Sequence, residues 1–402
     1  MKPLQRREDD VVRVRMPQNE FYETLSYRFG IAQVILYMGL LAFVVLSFLT
    51  NTGLLTYRNL YLFVKDLNHS MEGVDVIHSD ALVYPSSEEQ SFTLYRNGLA
   101  VAGESAVTVF SATGRQTLSE AISYRCPTVV GNGKYLLVYD LGGTSYSVYN
   151  SHTRLYAGTT DYAISFATVS EDGTYLLISS SAHATSIAEL YNDRFALVNR
   201  FTPKNGYYMC GAIGEKGDVV ALVSSAASVT SFSTQLTVCK TGASEASVSS
   251  TVADAIALDC AVMPTGEIAV LCSDRMLFFR RNGELLNRHD FTRESLVAYD
   301  LGKDGAVLCL RTDQAEAKTR LWVFDKQGRV RHDAEYAEAG LALCRSEDIV
   351  FLQTARDVLR IDIKRRTVDR VAAPWEDAKM LAVRDDEVLL CSKKKATYLH
   401  FR

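Results

Sequence analysis

Three observations predict an all-β fold, an eight-bladed β-propeller of four-stranded antiparallel blades preceded by one transmembrane helix. A strand-and-turn unit recurs about every 40 residues from about residue 74 to residue 402. Within each unit a second strand runs into a tight turn. Ahead of the repeats lies an uncharged window, Phe29 to Tyr57.

Residues 1–29 form a polar, charge-mixed tail containing Arg6-Arg7-Glu8-Asp9-Asp10, a composition too poor in apolar side chains to build a core. Residues 30–50 are predicted to cross the bilayer. Ile31 to Leu49 is almost wholly aliphatic or aromatic, and about 19 helical residues span roughly 28 Å, the thickness of a hydrocarbon core. Tyr27 and Phe29 before the run, and Tyr57 and Tyr61 after it, suit the headgroup layer. Lys2, Arg6, Arg7, Arg13, Arg15 and Arg28 precede the span, whereas only Arg58 and Lys65 follow closely. Cations stay on the cytoplasmic side, so residues after 50 are expected outside the plasma membrane. The apolar run is too long for a cleaved signal peptide, and no small-x-small site follows it. In the stem, residues 51–73, Leu60, Phe63, Val64 and Leu67 share one helical face.

From residue 74 to 402 the pattern is propeller-like. Gly133 opens GKYLLVYD, Gly173 GTYLLISS, Gly217 GDVVALVS, Gly266 GEIAVLCS and Gly305 GAVLCLRT. Weaker copies open at Gly98, Glu347 and Asp386. The second landmark appears as VTVFSATG at Val107, QLTVCKTG at Gln235, MLFFRRNG at Met276 and RLWVFDKQG at Arg320. Asn282-Gly283 and Gln327-Gly328 are hairpin turns, because glycine accepts positive φ. Each unit therefore reads as strands a, b, c and d, and the turns count out eight blades. The last blade, from Ala378, holds only three strands. Its missing outer strand is expected from Val74–His78 or Ala81–Tyr84, which would close the ring.

The repeats resemble the degenerate blades of WD-repeat, quinoprotein-like and YVTN-type propellers. The whole chain resembles a bacterial family with a short cytoplasmic tail, one membrane span and an external propeller. That resemblance implies architecture and specifies no chemistry.

Net charge is −4, which gives no nucleic-acid footprint. Two tryptophans, Trp322 and Trp375, do not make the repeated docking motifs of quinoprotein dehydrogenases. Ser170-Glu171-Asp172-Gly173-Thr174-Tyr175 lacks the spacing and the Trp of a sialidase box and reads as a hairpin turn. The histidines are scattered without metal spacing, and no phosphate or dinucleotide loop is present. Neither catalysis, cofactor nor metal is expected. Of the eight cysteines, Cys210, Cys260 and Cys344 precede repeat turns, while Cys272, Cys309 and Cys391 follow them. Such equivalent interior positions favour free buried thiols over a disulfide framework, with a single disulfide left open.

Three b–c connections stand out: Ser179–Ser186, Ser224–Ser233 and Asp313–Thr319. In a propeller they share one face with the d–a connections. The candidate partner-binding positions are Ser181, His183 and Thr185 on the first. Ala227, Thr230 and Ser231 are those on the second, and Glu316 and Lys318 those on the third. A Ser/Thr/Tyr surface binds a partner at low side-chain entropy cost. The leading expectation is a non-enzymatic scaffold that holds an envelope protein or wall polymer, tethered to the lipid bilayer through residues 30–50. A propeller enzyme acting on glycans or with a redox cofactor is the first alternative. A sensor relaying external binding to the tail is the second.

Overall fold

The computed structural model describes residues 27–39, 41, 81–182, 185–242, 248–312, 318–373 and 379–401. Residues 27–39 and 41 are helical, with Phe29, Val34, Ile35, Leu36, Met38 and Leu41 exposed. No helix among the described residues is long and apolar enough to cross a membrane. Positions 40 and 42–50 of the expected span, the stem and Val74–His78 lie outside the described residues.

The chain from Glu72 onward forms one compact unit. It begins with the short strand β1 (Leu82–Val83). Blade 1 is β2 (Gln90–Tyr95), β3 (Gly98–Gly103), β4 (Ala106–Phe110) and β5 (Gln116–Ala121). Blade 2 is β6 (Pro127–Asn132), β7 (Tyr135–Asp140), β8 (Ser145–Tyr149) and β9 (Arg154–Thr159). Blade 3 is β10 (Ile164–Val169), β11 (Tyr175–Ser180), β12 (Ser186–Tyr191) and β13 (Leu197–Phe201). Blade 4 is β14 (Tyr207–Ile213), β15 (Val219–Ala227), β16 (Phe232–Lys240) and β17 (Val248–Ala253).

Blade 5 is β18 (Ala257–Val262), β19 (Ile268–Cys272), β20 (Arg275–Phe279) and β21 (Leu285–Asp290). Blade 6 is β22 (Ser295–Gly302), β23 (Gly305–Arg311), β24 (Thr319–Phe324) and β25 (Val330–Tyr336). Blade 7 is β26 (Ala342–Ser346), β27 (Ile349–Gln353), β28 (Asp357–Asp362) and β29 (Thr367–Ala372). Blade 8 is β30 (Lys379–Arg384), β31 (Glu387–Cys391) and β32 (Lys395–His400), with β1 as its outer strand.

Every sheet has four strands and every pairing is antiparallel. The inner strands β2, β6, β10, β14, β18, β22, β26 and β30 each adjoin the next, and β30 adjoins β2. The ring is closed. Eight apolar clusters fill the eight seams between neighbouring blades, from Tyr95, Ala100, Val129 and Leu136 at the first to Leu82, Phe92, Leu389 and Cys391 at the last.

This packing explains why the b strands dominate the sequence signal. A b strand is covered by the preceding blade on one face and the next blade on the other, so β7, β19 and β27 are buried almost throughout and read as continuous apolar runs. Outer strands such as β9 and β29 alternate exposed and half-buried residues.

Closure uses the N-terminal strand, as expected for Ala81–Tyr84. Leu82 pairs with Ala396 and Val83 with Lys395. Tyr84 then locks the junction: its hydroxyl donates to the Ser392 carbonyl at 2.6 Å, and its ring lies 5.6 Å from that of Phe92 in blade 1. One side chain therefore touches both ends of the ring.

The c–d turns of blades 1, 4, 5 and 6 carry glycine at positive φ (Gly114, Gly242, Gly283 and Gly328), whereas blades 3 and 7 place Phe195 and Arg366 in that conformation. Gly328 has φ 79° and its Cβ position would meet the Phe278 ring, so only glycine fits. At the corresponding place in blade 3 stands Phe195, φ 63°, a conformation costing roughly 1–2 kcal/mol for a side chain with a Cβ. Its ring stacks on Tyr156 at 4.9 Å and 12°, which offsets part of that cost.

Candidate functional site

Two regions concentrate polar or apolar groups not consumed by packing: the central channel, and the face made by the b–c and d–a connections.

The channel is a cavity of about 870 Å³, within the range that holds small ligands. It opens among the a–b turns, with Arg96, Asn97, Gly133, Glu171, Glu215 and Lys303 around its mouth. Deeper in, Tyr139, Thr168, Asp259 and Cys260 line the wall. Asp259, on β18, accepts a hydrogen bond from its neighbour's amide, Cys260 N, at 2.8 Å and another from the Tyr299 hydroxyl. Burial outweighs both bonds and pushes its carboxyl up to about 6. Burial also raises the Tyr299 and Tyr139 hydroxyls, so both remain donors at neutral pH.

Asp300, next along β22, is pushed up by burial as well, but its Oδ2 is held by the Arg345 amide at 2.8 Å. Lys379, at the start of β30, donates to the Phe92 carbonyl at 3.1 Å, and burial lowers it. The channel thus presents one proton-exchanging carboxyl flanked by phenols. No group of three His, Cys, Asp or Glu side chains suited to a metal occurs among the described residues.

On the opposite face, Ser181 and Thr185 lie on the blade 3 connection; Ala227, Thr230 and Ser231 on that of blade 4; and Lys318 on that of blade 6. His183 and Glu316 lie outside the described residues. The blade 4 hairpin is the longest, nine residues in each of β15 and β16. It closes through Ser228, whose amide donates to the Ser231 carbonyl at 2.7 Å and whose Oγ accepts the Ser231 amide at 3.1 Å. Val229 stands fully exposed at its tip, and Phe232 is 49% exposed.

Sequence reasoning weighted hydroxyls here and overlooked the apolar side chains. Leu141, Tyr162, Tyr207, Val229, Phe232 and Leu258 are all exposed on connections or strand ends of this face, across blades 2–5. Meanwhile several of the nearby hydroxyls work inside the ring. Ser186 Oγ accepts the Tyr208 amide at 2.6 Å, Ser225 Oγ accepts the Ala257 amide at 3.2 Å, and Thr319 Oγ accepts the Gly340 amide at 2.7 Å. Each bonds one blade to the next, satisfying a donor that the seam would otherwise strand.

The turn reading of Ser170–Tyr175 holds: Ser170 Oγ donates to the Thr174 carbonyl at 2.8 Å, and Asp172 Oδ1 accepts the Thr174 amide at 3.0 Å. Trp322 is a buried residue of β24, as expected; Trp375 lies outside the described residues.

Residues 68–367 match the family of unknown function DUF5711. The chain belongs to that family. No curated protein matches the sequence. Among solved structures, this DUF5711 chain is similar to the C-terminal WD40 domain of Sif2, with TM-score 0.57 and 12% identity over 82% of this chain and 100% of that one. It is also similar to BamB from Moraxella catarrhalis, with TM-score 0.55 and 9% identity over 81% and 100% respectively. At such identities the likeness carries the propeller fold alone, and the DUF5711 chain's chemistry rests on its own residues.

Proposed function

We propose that the chain is a membrane-anchored, extracytoplasmic propeller that acts as a protein-binding scaffold in the bacterial cell envelope. The observation that carries this reading is the apolar crown on the b–c and d–a face, centred on the Val229–Phe232 hairpin tip. Exposed apolar side chains ringed by small hydroxyl residues give a partner a water-excluding centre and a polar rim. The propeller fold, shared with BamB and the Sif2 WD40 domain, supplies a rigid platform for such a face. Anchoring is supported by the exposed apolar side chains of residues 27–41 and by the cation bias before them. A wall polymer would engage the hydroxyls more than Val229 and Phe232, so an envelope protein is the preferred partner.

A photo-crosslinking residue placed at position 229 in the full-length chain tests this in growing cells. One discrete protein adduct is expected from position 229, lost when Phe232→Glu is added. A crosslinker at Glu215, beside the channel mouth, should give none. Absence of an adduct at 229, or equal adducts from both faces, would reject the reading.

A further inference from the structure

Two of the eight cysteines are neighbours. Cys210 lies on β14 opposite Val223, and Cys260 lies on β18 opposite Val270. These are inner strands of adjacent blades, side by side at one seam, and both residues belong to the same packed cluster. The Cys260 thiol is the hydrogen-bonding neighbour of Cys210. None of the eight cysteines is in a disulfide in this structure. Cys210 is fully enclosed, whereas Cys260 lines the 870 Å³ channel. Of the pair, Cys260 borders the channel with 6% of its surface exposed, and Cys210 lies behind it.

We propose that Cys210 and Cys260 form a redox site in which a small disulfide, entering the channel, converts the two thiols into a bond between blades 4 and 5. The Cys260 thiolate attacks one sulfur of the incoming disulfide, giving a mixed disulfide and releasing one thiol. The Cys210 thiolate then attacks the Cys260 sulfur, closing the protein disulfide and releasing the second thiol. Two protein thiols are oxidised, one external disulfide is reduced, and the two protons pass to the two leaving thiolates.

The surroundings set the rate. The hydrogen bond to Cys260 and then burial raise the Cys210 thiol well above its ordinary value. Little of it is ionised at neutral pH, so closure is slow and accelerates as pH rises. The bond would pin the inner edge of the seam and enclose residues 210–260, which removes freedom from the unfolded chain.

Incubating the full-length chain with oxidised glutathione, blocking the remaining thiols and mapping peptides without reduction tests the proposal. The expected product joins the Cys210 and Cys260 peptides, with the other six cysteines still in the thiol form. Its melting temperature should exceed that of the reduced chain by about 5 °C. With Cys210→Ala, glutathione should remain attached at Cys260, and with Cys260→Ala no adduct should form at Cys210. Circular dichroism of each variant confirms the fold. The proposal falls if glutathione is found only on the partly exposed Cys126, if other cysteines pair, or if unmutated chain yields no linked peptide.

Discussion

Blades 2 and 3 and blades 5–7 solve the same packing problem with different chemistry. The seam between blades 2 and 3 is held by aromatic rings: Tyr175 lies flat on Tyr191 at 4.8 Å and 4°, and Tyr146 approaches Tyr175, Tyr156 and Tyr191 within 6.3 Å. Blades 5–7 instead carry a lattice of guanidinium–carboxylate pairs. Arg275 binds Asp274, Arg320 bridges Glu294 and Asp333 while lying 4.3 Å over the Trp322 ring, and Arg360 reaches Asp369. An identical backbone plan with apolar seams throughout therefore accommodates stacked rings on one side and partly exposed ion pairs within the blades on the other. The repeat constrains where a b strand falls and leaves these additions free.

The largest effect should come from breaking the aromatic seam. Tyr175→Ala removes a fully buried ring and should destabilise the propeller by about 4 kcal/mol. Urea unfolding should give nearly the same loss in low and high salt, because the Tyr175 ring is held by stacking and burial and carries no charge.

Arg320→Ala should cost about 2 kcal/mol, combining a charge-assisted pair with the stacking on Trp322. That loss should shrink in 1 M sodium chloride, where the pair is screened. A salt-independent loss would mean that packing, and not charge, holds this half.

Acid sharpens the contrast. Arg320 and Arg275 hold Asp333 and Asp274 below the usual carboxylate range. The stability these pairs give is present at neutral pH and is lost as pH falls through their lowered folded values. Asp259 has the opposite sign: with its pKa raised from 3.8 to about 6, it favours folding below the unfolded value and loses that contribution as pH rises through about 6. Asp259→Asn should therefore raise stability at pH 8 by about 1 kcal/mol, discounted for channel water, and change little at pH 4. Melting curves at the two pH values check both signs.

The smallest effect belongs to Arg280, whose pair with Glu284 is more than half exposed on both sides. Arg280→Ala should shift stability by less than about 0.5 kcal/mol. A larger change would show that outer pairs of this half act as a network.

The comparison also explains what could be read from the chain beforehand. Eight b strands, the c–d glycine turns and the borrowed outer strand all depend on local pattern, so Gly133-to-Asp140 and its copies revealed them. The channel was not legible, because Asp259 and Tyr299 are 40 residues apart in sequence and meet only where the inner strands of blades 5 and 6 lie side by side. Arg320 and Glu294 were hidden because the turn ahead of β22 and the third strand of blade 6 meet only once that blade has folded. The cysteines lie between these cases. Their equivalent positions were visible, but that Cys210 and Cys260 become neighbours follows from adjacent blades presenting the same inner-strand register. On the loop face, Val229 and Phe232 were passed over amid hydroxyl residues, since exposure of an apolar side chain leaves no mark in composition.

The pairing of β1 with β32 sets a timetable. A ribosome makes Leu82 and Val83 before any blade, yet their partners Ala396 and Lys395 emerge more than 300 residues later. During that interval seven complete sheets can assemble in turn while the eighth waits. The nascent protein therefore passes through a long-lived open arc whose first strand has a bare edge and is a target for chaperones.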